Sequence, residues 1–156
     1  MAEGEPRVVS VNVSERKGTP KRPVPEAELV VGLGIRGDAH AGTPGREVSL
    51  LDQSEIARFE KAKGVHLAPG AFAENITTAG LDHSLLKVGT ELAIGTARLR
   101  VSRIGKDCHE GCAIRERVGD CIMPRLGVFA QVLVGGKVRP GDPINILSHY
   151  RESRAP

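Results

Sequence analysis

Three cysteines, Cys108, Cys112 and Cys121, fall close together in a segment that also holds His109 and Glu110. Lys106, Arg115 and Arg117 surround them with positive charge. Neighbouring cations favour the thiolate, the form of cysteine that attacks, carries sulfur and ligates metal. Were the segment helical, as Cys112–Val118 could be, Cys108 and Cys112 would share one face. Three chemistries fit this spacing. The first is a reactive thiol that carries a persulfide or binds a metal cofactor. The second is a Cys₃His zinc site completed by His109. It ranks lower, because Cys108 and His109 are adjacent and C-x₃-C-x₈-C is not a zinc-ribbon spacing. The third is the buried, inert thiol. Cys112, next to Ala113 and Ile114, suits it, whereas the polar neighbours of Cys108 and Cys121 argue against it for those two.

A second group of polar residues lies upstream. Asp38, His40 and Arg46 stand in or beside the glycine-rich stretch Gly32–Gly45 and together offer an acceptor, a titratable donor and a cation. Flanking glycines let a backbone approach a ligand closely. Against this stands the commoner use of Asp beside Gly, which is to bond its own backbone in a turn. Gly32, Gly34 and Gly37 spell G-x-G-x-x-G, but Gly42, Pro44 and Gly45 would break the helix that a dinucleotide fingerprint requires. Further on, Phe72, Glu74 and Asn75 occur in G-A-F-A-E-N-I. Glu74 and Asn75 could hold a ligand or cap the loop, with Phe72 in the core. His66, His83 and His149 read as surface residues.

Some element must position these groups, and the composition limits which. The 156 residues are 40% apolar and 26% charged, enough for one domain with a hydrophobic core. Aromatics make up 3%, with no Trp, so the core rests on Val, Ile, Leu and Ala. That scarcity and a net charge of +3 without a basic stripe argue against nucleic-acid binding. The mild positive excess suits a compact anion such as a phosphate or pterin phosphate. No apolar run reaches the roughly 18 residues of a membrane span, and the N-terminus has no apolar signal region. The expectation is a cytoplasmic protein in which cysteines serve as thiols or ligands rather than disulfides.

Alternating β-branched residues predict strands at Arg7–Val13, Glu28–Val31, Arg46–Leu51, Glu91–Ile94, Ala97–Ile104, Phe129–Val134 and Ile144–Leu147. Gly18–Pro25, with three prolines, reads as an extended connection. Asp52 reads as a helix N-cap with Glu55 closing a capping box. That helix would bury Ile56 and Phe59 and end near Lys63 before Gly64. Leu81–Lys87 suggests a short helical turn. Many short strands, glycine turns and one clear helix predict a mainly β barrel or folded sheet over residues 7–147, with tails at 1–6 and 148–156.

The order of these pieces resembles the MOSC domain family. G-I-R-G-D-A-H-A-G (Gly34–Gly42) leads to R-E-V-S-L-L (Arg46–Leu51), then G-A-F-A-E-N-I (Gly70–Ile76) and V-G-T-E-L-A-I-G (Val88–Gly95). A strand then runs to Cys108, followed by M-P-R-L-G-V-F-A (Met123–Ala130) and V-R-P-G-D-P-I (Val138–Ile144). The resemblance implies a compact MOSC-type β-barrel of mostly antiparallel strands with a few short helices. It implies binding of the molybdenum cofactor, or its molybdopterin part, and handling of sulfur by a cysteine that corresponds to Cys108. Pyridoxal phosphate binding is also associated with the family. Asp107 stands where the family pattern has Pro before that cysteine, and two further cysteines could relay a persulfide by thiol exchange. On this reading Asp38, His40, Arg46, Glu74 and Asn75 bind the cofactor. Arg103, Lys106 and Arg125 supply charge for its phosphate, and Cys108 carries sulfur or ligates molybdenum. The partners implied are the cofactor or a pterin-like anion, with a sulfur donor or a molybdoenzyme. Delivery of the cofactor without chemistry is the rival expectation, and oligomeric state stays open.

Overall fold

The computed structural model describes residues 5–17, 19–105 and 127–148. Strands β1 (Arg7–Val13), β2 (Arg22–Val24), β3 (Ala27–Val30), β4 (Gly34–Ile35) and β5 (Val48–Asp52) precede helix α1 (Gln53–Lys63). Then come β6 (Ile76–Ala79), a 3₁₀ turn at His83–Leu85, β7 (Glu91–Ile94), β8 (Ala97–Ile104), β9 (Val128–Val134), β10 (Gly136–Val138) and β11 (Ile144–Ser148). Eight strands form one sheet in the order β11-β7-β8-β9-β5-β6-β1-β2, and β10-β3-β4 form a second.

The expected mainly β architecture is present, with one refinement. Among the described residues the ladder does not close into a barrel. Instead the large sheet rolls until the start of β1, next to the β2 edge, meets the chain just before β11 through the isolated bridge between Arg7 and Pro143. Val8 N–H donates to Asp142 O at 2.9 Å, and Gly141 N–H donates back to Val8 O at 2.7 Å. The pairs are antiparallel except β5–β6, which run parallel. A parallel pair needs a crossover, and α1 supplies it.

Four strands, β2, β4, β6 and β10, occupy stretches not predicted as strands from the sequence. β2 contains Pro23 and lies at the sheet edge, the position where a missing N–H breaks no ladder. β10, in G-G-K-V, pairs antiparallel with β3. Helix α1 begins where expected: Asp52 accepts from Ser54 N–H, and Gly64 ends the helix in the left-handed region at φ 66°. The capping box differs, since Glu55 pairs with Arg58 at 3.5 Å.

The core has two parts. Within the rolled sheet, Val11, Leu29, Leu50, Ile76, Leu92, Ile94, Leu99 and their neighbours form an aliphatic cluster. On the opposite face, Ile56 and Phe59 of α1 pack on Leu51, Phe72, Ala73 and Phe129. The chain has three Phe, and all three lie in this smaller cluster, Phe59 meeting Phe72 edge-on at 5.0 Å between ring centres. The aromatic residues therefore fasten α1 and the Gly70–Asn75 turn to the sheet.

Candidate functional site: a buried ion-pair corner

Asp38 and His40 do come together, around a residue that sequence spacing did not single out. Lys21, in the proline-rich stretch before β2, extends its Nζ to 2.8 Å from Asp38 Oδ1, and both side chains are wholly excluded from solvent. The same ammonium reaches Ser14 Oγ at 3.1 Å and His40 Nδ1 at 3.0 Å. An ammonium has donors and no acceptor, so it can only donate to these neighbours. Asp38 also accepts from Ser14 N–H at 3.1 Å and from His40 N–H at 3.1 Å. Burial alone would raise the Asp38 pKa. The Lys21 hydrogen bond and charge, with bonds from Ser14 and Asn75, override it and hold the carboxyl below its ordinary value.

The G-A-F-A-E-N-I motif supports this corner from below. Lys21 N–H donates to Gly70 O at 2.8 Å, which clamps the lysine backbone onto the turn. Gly70 has φ 88°, and a Cβ there would run into the Lys21 carbonyl oxygen, so the contact requires glycine. Ala73 is held at φ 64°, an uncommon conformation for a residue with a side chain, and the turn it makes directs the next two side chains inward. Asn75 Oδ1 accepts from Ser49 N–H at 3.0 Å, and its Nδ2 donates to Asn12 O at 3.2 Å. Glu74 accepts from Gly70 N–H at 3.0 Å, Phe72 N–H at 3.2 Å and Thr77 Oγ1 at 2.7 Å. No cation is among these partners, and burial pushes its pKa up. Both side chains lie beneath the surface, so their geometry gives them a positioning part.

Register carries the corner across the sheet. Arg103 of β8 pairs with Phe129 of β9, which pairs with Ser49 of β5. Asn75 N–H bonds Ser49, and Asn12 N–H bonds Asn75 O. Ser102 Oγ donates to Gly45 O at 3.0 Å, tying the loop that bears Arg46 to the strand that bears Arg103. Both arginines are half-buried. The Arg103 Nε donates to Gly105 O at 3.1 Å. Gly105 N–H in turn bonds Gly127 O at 2.7 Å, so the chain leaves and re-enters the sheet beside Arg103. Between those two glycines lie Lys106, Cys108, His109, Cys112, Cys121 and Arg125, which are outside the described residues. The zinc expectation, which rests on these cysteines, lies there too. Among the described residues no group of three or more His, Cys, Asp or Glu is placed to hold a metal.

Sequence reasoning missed Lys21, Ser14, Asn12, Ser49 and Thr77. The sequence carries one clue to the lysine: Pro20 and Pro23 stiffen its segment, so it can be held at a fixed height. Nothing in spacing links it to Asp38.

These features define a small rolled-sheet protein with a buried, internally neutralised Lys–Asp pair against a partly buried histidine. The MOSC domain family model matches residues 37–145, and the chain belongs to that family, which is commonly associated with molybdenum cofactor binding. The chain is 26% identical over 141 residues to the uncharacterized protein YflK of Bacillus subtilis, covering 84% of this chain and 63% of YflK. It therefore spans less than two thirds of that relative. Among solved structures it is similar to YiiM from Geobacillus stearothermophilus, with a TM-score of 0.73 and 23% identity over 92% of this chain and 75% of that one. The YuaD protein of Bacillus subtilis gives a TM-score of 0.73 at 19% identity, covering 89% of this chain and 93% of that one. YiiM from Escherichia coli gives 0.68 at 21% identity, over 95% and 71% respectively. Identities this low support the shared fold.

Proposed function

We propose that the chain binds the molybdenum cofactor, or its pterin phosphate portion, at the loop that bears Asp38 and His40, with Arg46 and Arg103 on the neighbouring segments joined by the Ser102–Gly45 hydrogen bond, and that Cys108 serves as sulfur carrier or molybdenum ligand. The observation that carries the binding reading is the charge state of the corner. Asp38 is already neutralised by Lys21 at 2.8 Å, so it does not oppose an anion held by donors such as Arg46 and Arg103. Such a donor set fits an oxygen-rich anion. Gly37 and Gly45, both at positive φ with open space where a Cβ would be, leave the loop backbone accessible between these groups. When bound, the cofactor would supply oxygen- or sulfur-transfer chemistry at molybdenum. The chain's own residues orient it: Arg46 and Arg103 bind anionic oxygens, and the buried polar row keeps their strands in register.

Cys108 stands three residues beyond Gly105, where β8 releases the chain. That position and the surrounding cations support a thiolate role. A sulfur donor and a molybdoenzyme acceptor are the protein partners this reading implies. The test is native mass spectrometry of protein purified from its own host without reductant. The expected result is a mass gain matching a molybdopterin species or one sulfur atom, the latter localised to Cys108 by fragmentation. Arg46→Ala and Arg103→Ala should each lower cofactor retention about tenfold, the worth of one charge-assisted hydrogen bond. Cofactor retention with three unmodified thiols would favour delivery without chemistry. A Cys108→Ala variant that keeps both cofactor and sulfur would overturn that assignment.

A further inference from the structure

We propose that the cleft between Pro20–Pro23 and Val65–Ala71 is a second binding site, which takes a small apolar carboxylate whose anionic group is held by Arg22. The cleft encloses about 550 Å³. Small-molecule pockets span roughly 300–1,000 Å³, so the size suits a ligand of that kind. Its walls are Pro20, Pro23, Leu67, Ala68, Pro69 and Ala71, with Val65, Arg22 and His66 exposed along the rim. The two sides are fastened to each other and to α1. Lys21 N–H donates to Gly70 O at 2.8 Å, which joins them. Leu67 N–H donates to Glu60 Oε2 at 2.7 Å, and Val65 N–H donates to Glu60 O at 3.1 Å. Ala71 N–H donates to Ala68 O at 3.1 Å, closing the turn. Three wall residues are prolines, whose rings restrict the backbone further. A wall held in this way loses little freedom when a ligand enters.

The charges along the cleft select the ligand class. Lys21 lines it, but its ammonium is engaged by Asp38 at 2.8 Å and excluded from solvent. His66 Nδ1 lies 3.4 Å from Glu60 Oε2, so its charge has a partner. Arg22 is exposed, and among the described residues no carboxylate pairs with it. One uncommitted guanidinium over apolar walls suits a monoanion with an apolar body. A phosphate dianion would need further cations. The planar fork of arginine matches a carboxylate with two parallel bonds. The occupant is a small molecule rather than an added peptide strand, because β2 carries Pro23 at the sheet edge. A proline there withholds a backbone donor and blunts edge pairing. The proposal does not rest on the cofactor reading.

The experiment is a ¹H–¹⁵N NMR titration of the full chain without cofactor. The probe is 2-naphthoate, and its uncharged counterpart is 2-naphthamide. With 2-naphthoate the amide signals of Arg22, Leu67, Ala68 and Ala71 should shift together and saturate. The amide should bind at the same signals about fivefold more weakly, the worth of one charge-assisted bond discounted for an exposed arginine. Arg22→Ala should weaken 2-naphthoate by about the same factor and leave 2-naphthamide unchanged. Ala68→Trp places a large ring in the cleft from an exposed position, so the fold is kept and both probes should be lost. Shifts that scatter over the surface or fail to saturate overturn the proposal. So do equal affinities for acid and amide, an Arg22→Ala variant that binds 2-naphthoate as wild type does, or an Ala68→Trp variant that still binds. Inorganic phosphate acting on the same signals as tightly as 2-naphthoate overturns the carboxylate assignment. Every readout uses cofactor-free protein, so failure here is separable from failure of the cofactor reading.

Discussion

Two carboxylates are buried in adjoining parts of this molecule, and they are treated in opposite ways. Asp38 is met by an ammonium, a serine N–H and an asparagine amide, which hold its pKa down despite burial. Glu74 is met by two backbone N–H groups and a threonine hydroxyl, and burial pushes its pKa up. One region keeps a charge inside the protein and spends a lysine to do so. The other tolerates a carboxyl only by surrounding it with dipoles. The difference teaches which region is built for what. Glu74 ties Gly70, Phe72 and Thr77 into one turn, a structural task that a neutral or charged acid can perform. The Asp38 region instead fixes a full positive charge 3.0 Å behind a partly exposed histidine. A buried ion pair adds little net stability over well-packed apolar residues.

The largest way to break the contrast is Lys21→Met. It leaves Asp38 charged, buried and without its cation, a loss of about 3–5 kcal/mol in unfolding free energy by urea titration. Adding Asp38→Asn should restore much of that loss. The pH response follows from the directions of the shifts. A depressed carboxyl contributes stability that is in place above its ordinary value of 3.8 and is lost as pH falls through its lowered native value, so wild type should unfold in acid. The double variant should show a flatter acid limb. If Lys21→Met costs under about 1 kcal/mol, the pair is not the buried anchor described here.

Gly70→Ala tests the join between the two regions. The added Cβ would strike the Lys21 carbonyl and crowd Asn12 Cβ, and φ 88° is itself unfavourable for alanine. A loss of about 2–3 kcal/mol is expected from the overpacking and the backbone together. Because the same turn carries Lys21 through the bond from its N–H to Gly70 O, the His40 resonances should move as well. A destabilised variant with unmoved His40 signals would show that the turn holds the sheet without positioning the corner.

How far the sequence alone could reach follows from these same residues. The strands with period-2 valines and the helix with an Asp52 cap were legible because local spacing encodes them. β2, β4, β6 and β10 were not: Pro23 and the glycines around Ile35 and Lys137 read locally as turns, Ile76–Ala79 is short, and only pairing with neighbouring strands makes these segments strands. The proximity of Asp38 and His40 was legible from adjacency. The partner of Asp38 was not: Lys21 lies 17 positions away on an irregular segment, and no periodicity connects them. Glu74 and Asn75 were picked out as polar residues in an apolar motif, yet their burial depends on the left-handed Ala73, which the sequence does not announce.

A smaller effect is expected at Glu74. A raised carboxyl contributes stability that is full below its ordinary value of 4.5 and is lost as pH rises through its elevated native value. Glu74→Gln removes that titration but offers one acceptor oxygen where the acid has two, for a cost of about 1 kcal/mol at pH 5. The gap to wild type should narrow as pH rises to 8, opposite in sign to the Asp38 limb. A gap that widens with pH would mean that Glu74 is stabilised as the anion after all.

The smallest effect sharpens the comparison most cheaply. Arg36 and Glu28 form an ion pair of 2.9 Å, nearly the length of the Lys21–Asp38 pair, but their side chains are 63% and 50% exposed. In solvent, Coulomb attraction is screened and the ordering of two long side chains cancels much of what remains. Arg36→Ala should therefore change stability by no more than about 0.5 kcal/mol. Equal contact lengths with a several-fold difference in consequence would locate the cause in burial. Were Arg36→Ala to cost as much as Lys21→Met, contact distance rather than desolvation would govern both pairs, and the contrast between exposed and buried charge in this protein would fall.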